Sequence, residues 1–179
     1  MKRFATCLLG AGLALLLVGK ANAQTNCIFS FTSDLMPPTV STVKGLGSVN
    51  QTNGGVGVGL DASGAGTDIV LTNLATASTG FDTFVPGGSP NPSDFVITLT
   101  LNGTTVNFTG AFTGTLSPTQ ANIGTIGLLG QSMTVNTAAG SFLVSVTSFA
   151  PPGPPNNSTP GSIGAHVTCV IPEPGTMAL

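Results

Sequence analysis

The sequence predicts an all-β fold, a single antiparallel β-sandwich or jelly-roll-like domain, and three observations carry that prediction. Runs rich in Val, Ile, Thr and Phe alternate apolar and polar residues, as in Phe95-Val96-Ile97-Thr98-Leu99-Thr100-Leu101. That two-residue period gives a strand with one apolar and one hydroxyl-bearing face. The runs are short and punctuated: 25 Gly and 13 Pro in 179 residues supply turns often enough for many strands and few long elements. After residue 23 no stretch keeps a 3.6-residue apolar period over the length of a helix.

The elements follow in order. Cys27–Thr32 (CIFSFT) puts Cys27, Phe29 and Phe31 on one side, and Pro37-Pro38 ends the run. Thr39–Val43 (TVSTV) is almost wholly β-branched. Gly55–Leu60 alternates Gly with Val and Leu, and Thr67–Asn73 (TDIVLTN) has a β-branched centre. Phe95–Leu101 and Thr105–Phe112 flank Asn102-Gly103, a pair that readily takes the positive φ angles of a type I′ turn, so a hairpin is expected there. Ile123–Leu129 is a further strand, and Ser132–Asn136 and Phe142–Phe149 form a second hairpin around Asn136–Gly140. Ala150–Ser162 carries five prolines, which deny a sheet its backbone donors, so an extended polyproline-like loop inside the domain is expected. Ile163–Ile171 closes the series as a strand carrying His166 and Cys169.

The first 23 residues read as a secretory signal. Lys2 and Arg3 precede an apolar run of twelve, Cys7 to Val18, and Ala21-Asn22-Ala23 presents small residues for cleavage before Gln24. Three of the four basic residues leave with that segment. Lys44 then stands against six acids, a net charge of −5 on residues 24–179. One cation cannot build a phosphate-binding surface, so no nucleic-acid partner is expected and anionic membrane surfaces are poor candidates. Solubility falls to Thr, Ser, Asn and Gln, a surface suited to a glycan-rich extracellular setting. Cys27 and Cys169 remain near the two ends of the domain, an even pair that in an oxidising compartment reads as one disulfide and places the first and last strands side by side.

Chemistry-bearing motifs are sparse. Gly54–Asp68 (GGVGVGLDASGAGTD) approaches a calcium-binding turn, but Gly59 stands where that frame needs Asp, and no glutamate closes a shell around Asp61, Ser63 and Asp68. Asp61 and Asp68 are thus weak metal candidates, read instead as caps on exposed backbone groups, and no cofactor is expected. His166 is the sole histidine, which rules out paired-imidazole metal sites. No Gly-x-Ser-x-Gly elbow accompanies it, and no glutamate precedes Glu173, so no catalytic residue is assigned and a non-enzyme is expected. Asn-x-Ser/Thr triplets at Asn50, Asn102, Asn107, Asn156 and Asn157 are what a chain this rich in Asn and Thr produces by chance.

The sequence closes on Ile171-Pro172-Glu173-Pro174-Gly175-Thr176-Met177-Ala178-Leu179. This stretch resembles the opening of the PEP-CTERM sorting signal of Gram-negative bacteria, in which Pro-Glu-Pro precedes a transmembrane helix and an Arg-rich cluster. Pro172, Glu173 and Pro174 match that motif, and the resemblance spans about nine residues. It implies processing by an exosortase, and an exported cell-surface or matrix protein tied to exopolysaccharide, biofilm or floc formation. Two alternatives are a secreted carbohydrate-binding module or adhesin, and a secreted carbohydrate-active hydrolase. Membrane anchoring in that scheme needs about 20 apolar residues, of which Met177-Ala178-Leu179 are three, and is expected only as a transient state of a longer chain. The expected organisation is a signal peptide over 1–23, a β-sandwich domain over 24–170 and the start of the sorting signal over 171–179.

Overall fold

A computed structural model describes residues 27–87, 91–157 and 159–170. The described residues form eleven strands: β1 (Ile28–Met36), β2 (Thr39–Ser41), β3 (Gly47–Asp61), β4 (Thr67–Ser78), β5 (Asp82–Phe84), β6 (Asp94–Leu101), β7 (Thr104–Leu116), β8 (Ala121–Ile126), β9 (Ser132–Thr137), β10 (Gly140–Ala150) and β11 (Gly161–Val170). The all-β expectation holds, and every ladder is antiparallel. The strand order β5-β7-β6-β1-β3-β4-β11-β10-β9, with β2 on β3 and β8 on β7, describes one sheet curled back on itself as a sandwich-like half-barrel.

The curl turns on β3, which changes partner midway. Its first half pairs with β4, from Gly47↔Ser78 to Gly54↔Thr72, and its second half with β1, from Ser33↔Gly55 to Ile28↔Asp61. Gly54-Gly55 is the crossing point because three backbones converge there. A Cβ on Gly54 would sit 2.2 Å from the Ser33 carbonyl, and one on Gly55 2.2 Å from that of Val70, approaches that only glycine permits. Leu71 opposite is the extra residue of a bulge in β4, and the buried Ser33 hydroxyl donates to its carbonyl at 2.6 Å, tying β1 to β4 across the split.

Between the two halves lies a continuous apolar core, including Phe29, Leu35, Leu71, Ile97, Phe108, Phe112, Phe142 and Val144. Two ring contacts cross it: Phe29 to Phe142 at 5.7 Å between centroids and Phe112 to Phe149 at 6.2 Å. The far edges of the curl nearly meet as well. The Gln131 carboxamide imitates a peptide group there, accepting from Thr109 N at 3.3 Å and donating to Thr109 O at 2.8 Å. Thr104 Oγ1 donates to Asn136 O at 3.2 Å beside it.

Both expected hairpins are present. Asn102 and Gly103 take φ of 46° and 84° between the paired residues Leu101 and Thr104, and Thr137 pairs with Gly140 at the head of β9–β10. The proline-rich segment joins β10 to β11, which pair from Ser141↔Val170 to Ala150↔Ser162. It folds onto its neighbours through Thr76 Oγ1 to Gly153 O at 2.5 Å and Asn156 N to Pro118 O at 3.2 Å.

Cys27 and Cys169 are joined, with Cα atoms 5.5 Å apart and a sequence separation of 142, a bond that points to an oxidising, extracytoplasmic environment. The first and last strands are not sheet neighbours, however, contrary to the expectation from the sequence. The β3–β4 hairpin splays at its tip, one arm leaving with β1 and the other with β11, and Ala62 fills the gap. Its N–H donates to Cys27 O at 2.9 Å and its carbonyl accepts from Cys169 N at 3.0 Å.

Asp82 is the one buried acid among the described residues. Thr42 Oγ1 (2.6 Å), Lys44 N (2.9 Å) and Leu46 N (3.2 Å) donate to its Oδ2, and Thr83 N (2.8 Å) to its Oδ1. Burial is the largest single influence and opposes the charge, but the four hydrogen bonds together outweigh it and hold this carboxyl below its ordinary value of 3.8.

Two outcomes follow for stability. Reduction, or the Cys27→Ala/Cys169→Ala pair, removes the closure of a 142-residue loop and lowers unfolding free energy by about 3–5 kcal/mol in urea melts; no loss would show that the folded ends meet without it. The contribution of Asp82 is complete above about pH 4, where the unfolded side chain is ionised, and is lost as pH falls through its depressed native value. Asp82→Asn therefore lowers Tm at pH 7 and flattens the acid limb of the stability curve below about pH 4, whereas an unchanged acid limb would remove Asp82 from the account.

Candidate functional site

Alternation along β1, β6 and β7 sends Phe29, Phe31, Leu35, Phe95, Ile97, Leu99 and Phe108 inward. The same alternation sets the polar residues of those strands outward, and the register aligns them into rows. Thr32 pairs with Thr100 and Thr100 with Thr105; Asp34 with Thr98 and Thr98 with Asn107; Met36 with Val96 and Val96 with Thr109. Rows lie about 6.7 Å apart along the strands and neighbours within a row about 4.8 Å, so hydroxyls and amides form a flat array over three strands. Thr100 Oγ1 and Thr105 Oγ1 are 2.9 Å apart, and Gln51 Nε2 donates to Asp34 Oδ1 at 3.2 Å at the array's edge.

One end of this face is apolar rather than hydroxylated. Met36, Pro37, Val96, Gly110, Ile126 and Gly127 line a groove of about 540 Å³, with Thr109 and Asp94 on its walls. Met36 and Ile126, the last residues of β1 and β8, are 56% and 53% exposed.

The opposite half of the curled sheet carries a second polar row. Ser132 and Ser145 hydroxyls lie 2.7 Å apart, Ser145 pairs with His166, and His166 Nδ1 lies 2.7 Å from Asp68 Oδ1. A groove of about 480 Å³ beside it is lined by Asp68, Thr147, Ser148, Ser162 and His166, where Thr147 is the extra residue of a bulge in β10. A histidine joined to an aspartate beside serines has the makings of a hydrolytic group. Here, though, the distal nitrogen, Nε2, lies 2.9 Å from Ala65 O. Both ring nitrogens face oxygen acceptors, and neither is aimed at a hydroxyl it could activate. The arrangement fastens the Ser63–Gly66 turn to β11. The contact is surface-exposed, Asp68 by 87%, and contributes little to stability.

The weak metal candidates do not converge. Asp61 Oδ1 accepts from Ser63 N at 2.8 Å, which holds its carboxyl below the ordinary range, while Asp68 turns to His166. Capping of backbone was the expectation for both; it describes Asp61, and Asp68 pairs with a side chain instead. No group of three metal-ligating side chains occurs among the described residues. Cys27 and Cys169 are bonded to each other. The cleavage residues Ala21, Ala23 and Gln24 and the motif Pro172-Glu173-Pro174 lie outside the described residues.

Sequence reasoning passed over Asp34, Asp82, Asp94 and Gln131. Asp94 was in principle legible: it begins the strongest alternating run in the chain on the polar parity, with Val96, Thr98 and Thr100. Gln131 was not, since its role depends on a partner 22 residues away.

Because both carboxylates of the Gly-rich turn already hold partners, excess chelator leaves the melting temperature within about 1 °C of the untreated protein. A cooperative loss of stability would restore the calcium reading of Gly54–Asp68. No protein family matches this sequence, and no curated protein and no solved structure is significantly similar to it.

Proposed function

We propose that this is a non-catalytic, exported surface or matrix protein of a Gram-negative bacterium. In this reading it contacts exopolysaccharide or cell-surface glycans through the outward hydroxyl array of β1, β6 and β7. The single observation that carries the proposal is the array itself: Thr32, Thr98, Thr100, Thr105, Asn107 and Thr109 in register on one face. Hydroxyl and amide groups at regular spacing exchange hydrogen bonds with sugar hydroxyls as readily as with water. A periodic polymer meets a periodic surface many times over, so weak contacts sum.

Other features support the same reading. The Cys27–Cys169 bond suits export. Lys44 is the sole basic residue of 24–179, which leaves little for an anionic partner. The engagement of both His166 nitrogens favours a binding protein over a hydrolase. Pro172-Glu173-Pro174 resembles a sorting signal that an exosortase reads, and export followed by exosortase processing would deliver the domain to the cell exterior.

The test is isosteric. The triple variant Thr98→Val/Thr100→Val/Thr105→Val removes three hydroxyls while keeping the β-branched shape. Its co-sedimentation with exopolysaccharide recovered from the producing bacterium falls about tenfold or more, at roughly 0.5–1.5 kcal/mol per hydrogen bond, with Tm preserved. Equal binding by the folded, monodisperse variant would discard this face as the contact surface.

A further inference from the structure

Four of the five aspartates among the described residues are already engaged. Asp34 accepts from Gln51, Asp61 from Ser63 N, Asp68 faces His166, and Asp82 accepts from Thr42 and three backbone N–H groups. Asp94 is the fifth. It begins β6 on the outward parity and stands on the wall of the 540 Å³ groove, and its carboxylate has no hydrogen-bond or ionic partner among the described residues. Lys44, the one lysine or arginine of the described residues, is not part of that groove.

The groove combines three chemistries within one small volume. Met36, Val96 and Ile126 give an apolar floor, Thr109 a hydroxyl, and Asp94 an uncompensated negative charge. Few ligands match all three. A sugar ring offers an apolar face of C–H groups to the floor and hydroxyls to Thr109, and a ring bearing a protonated amine adds the cation that Asp94 lacks. A neutral sugar would leave the charge unanswered, and a uronic acid would oppose it. Resting on the glycan-facing reading above, we propose that this groove is a subsite for an amine-bearing hexosamine unit. Asp94 takes the ammonium group, and Met36, Val96 and Ile126 carry the ring. The hydroxyl rows begin at its edge, since Val96 lies next to Thr98 on the same parity and pairs with Thr109. A polymer seated in the groove therefore runs on over the array.

The probe is a β-linked glucosamine hexamer with free amines, compared with its fully N-acetylated counterpart, titrated by calorimetry into the purified chain at low ionic strength. The free-amine oligomer binds about tenfold tighter or more, and added salt erodes the difference as screening predicts. Asp94→Asn abolishes the preference, whereas Asp61→Asn, which makes the same change of charge in the distant Gly-rich turn, retains it. The Asp94 carboxylate makes no bond in the fold, and its backbone bonds to Asn91 and Ala111 survive the substitution, so the melting temperature of its variant stays with the wild type. A folded Asp94→Asn protein that still prefers the amine would overturn the subsite, as would a wild type indifferent to N-acetylation. Such a result leaves the broader reading to the Thr→Val variant. If that variant loses exopolysaccharide while no amine preference exists, the array binds glycan without this subsite. If neither responds, both fail.

Discussion

The change of partner at Gly54-Gly55 is the constraint on which the rest of the fold depends. A strand that stays with one neighbour extends a sheet; a strand that hands its second half to another folds the sheet over. β3 does this where β1, β3 and β4 come too close for any side chain, and the bulge at Leu71 with the Ser33 hydroxyl beneath it satisfies the backbone displaced there. Once β3 has turned, β1 carries β6 and β7 to one side, β4 carries β11, β10 and β9 to the other, and the apolar faces of both meet.

The same economy governs charge. With one lysine for five aspartates among the described residues, ion pairs cannot organise the surface. Carboxylates are held by N–H and O–H groups instead, most fully at Asp82, where the 42–47 loop wraps a buried acid through hydrogen bonds, Lys44 contributing its backbone N–H. Hydrogen bonds to a charged group are stronger than neutral ones, and this lets a nearly ion-free protein anchor its loops. It also gives a carboxylate without partners, such as Asp94, a meaning it would lack on an ordinarily charged surface.

How much of this was written legibly in the chain depends on range. The alternation of Phe95–Leu101 and the Asn102-Gly103 turn are local, and both appear where the sequence put them. The first half of β3 was not anticipated, because Gly47–Gly54 has Val49 as its only large apolar residue and its outward positions read as loop. β5 is three residues long and exists because β7 lies beside it. The cysteine pairing followed from counting, but its place at a splayed hairpin tip, with Ala62 between the two ends, follows from the turn in β3 and from nothing near either cysteine. The hydroxyl face was visible strand by strand, whereas its registration into rows required knowing which strands are neighbours.

The bond at that tip also bears on how the domain would carry force. Cys27 and Cys169 are the first residue and nearly the last of the described fold. Tension that enters beyond Val170 and leaves before Cys27 passes from sulfur to sulfur and bypasses the strands between. Unfolding then releases almost no slack: the chain between the two cysteines, a sequence separation of 142 worth roughly 480 Å when drawn out, stays out of the line of pull. A bead clipped in this way is inextensible under traction while it remains oxidised.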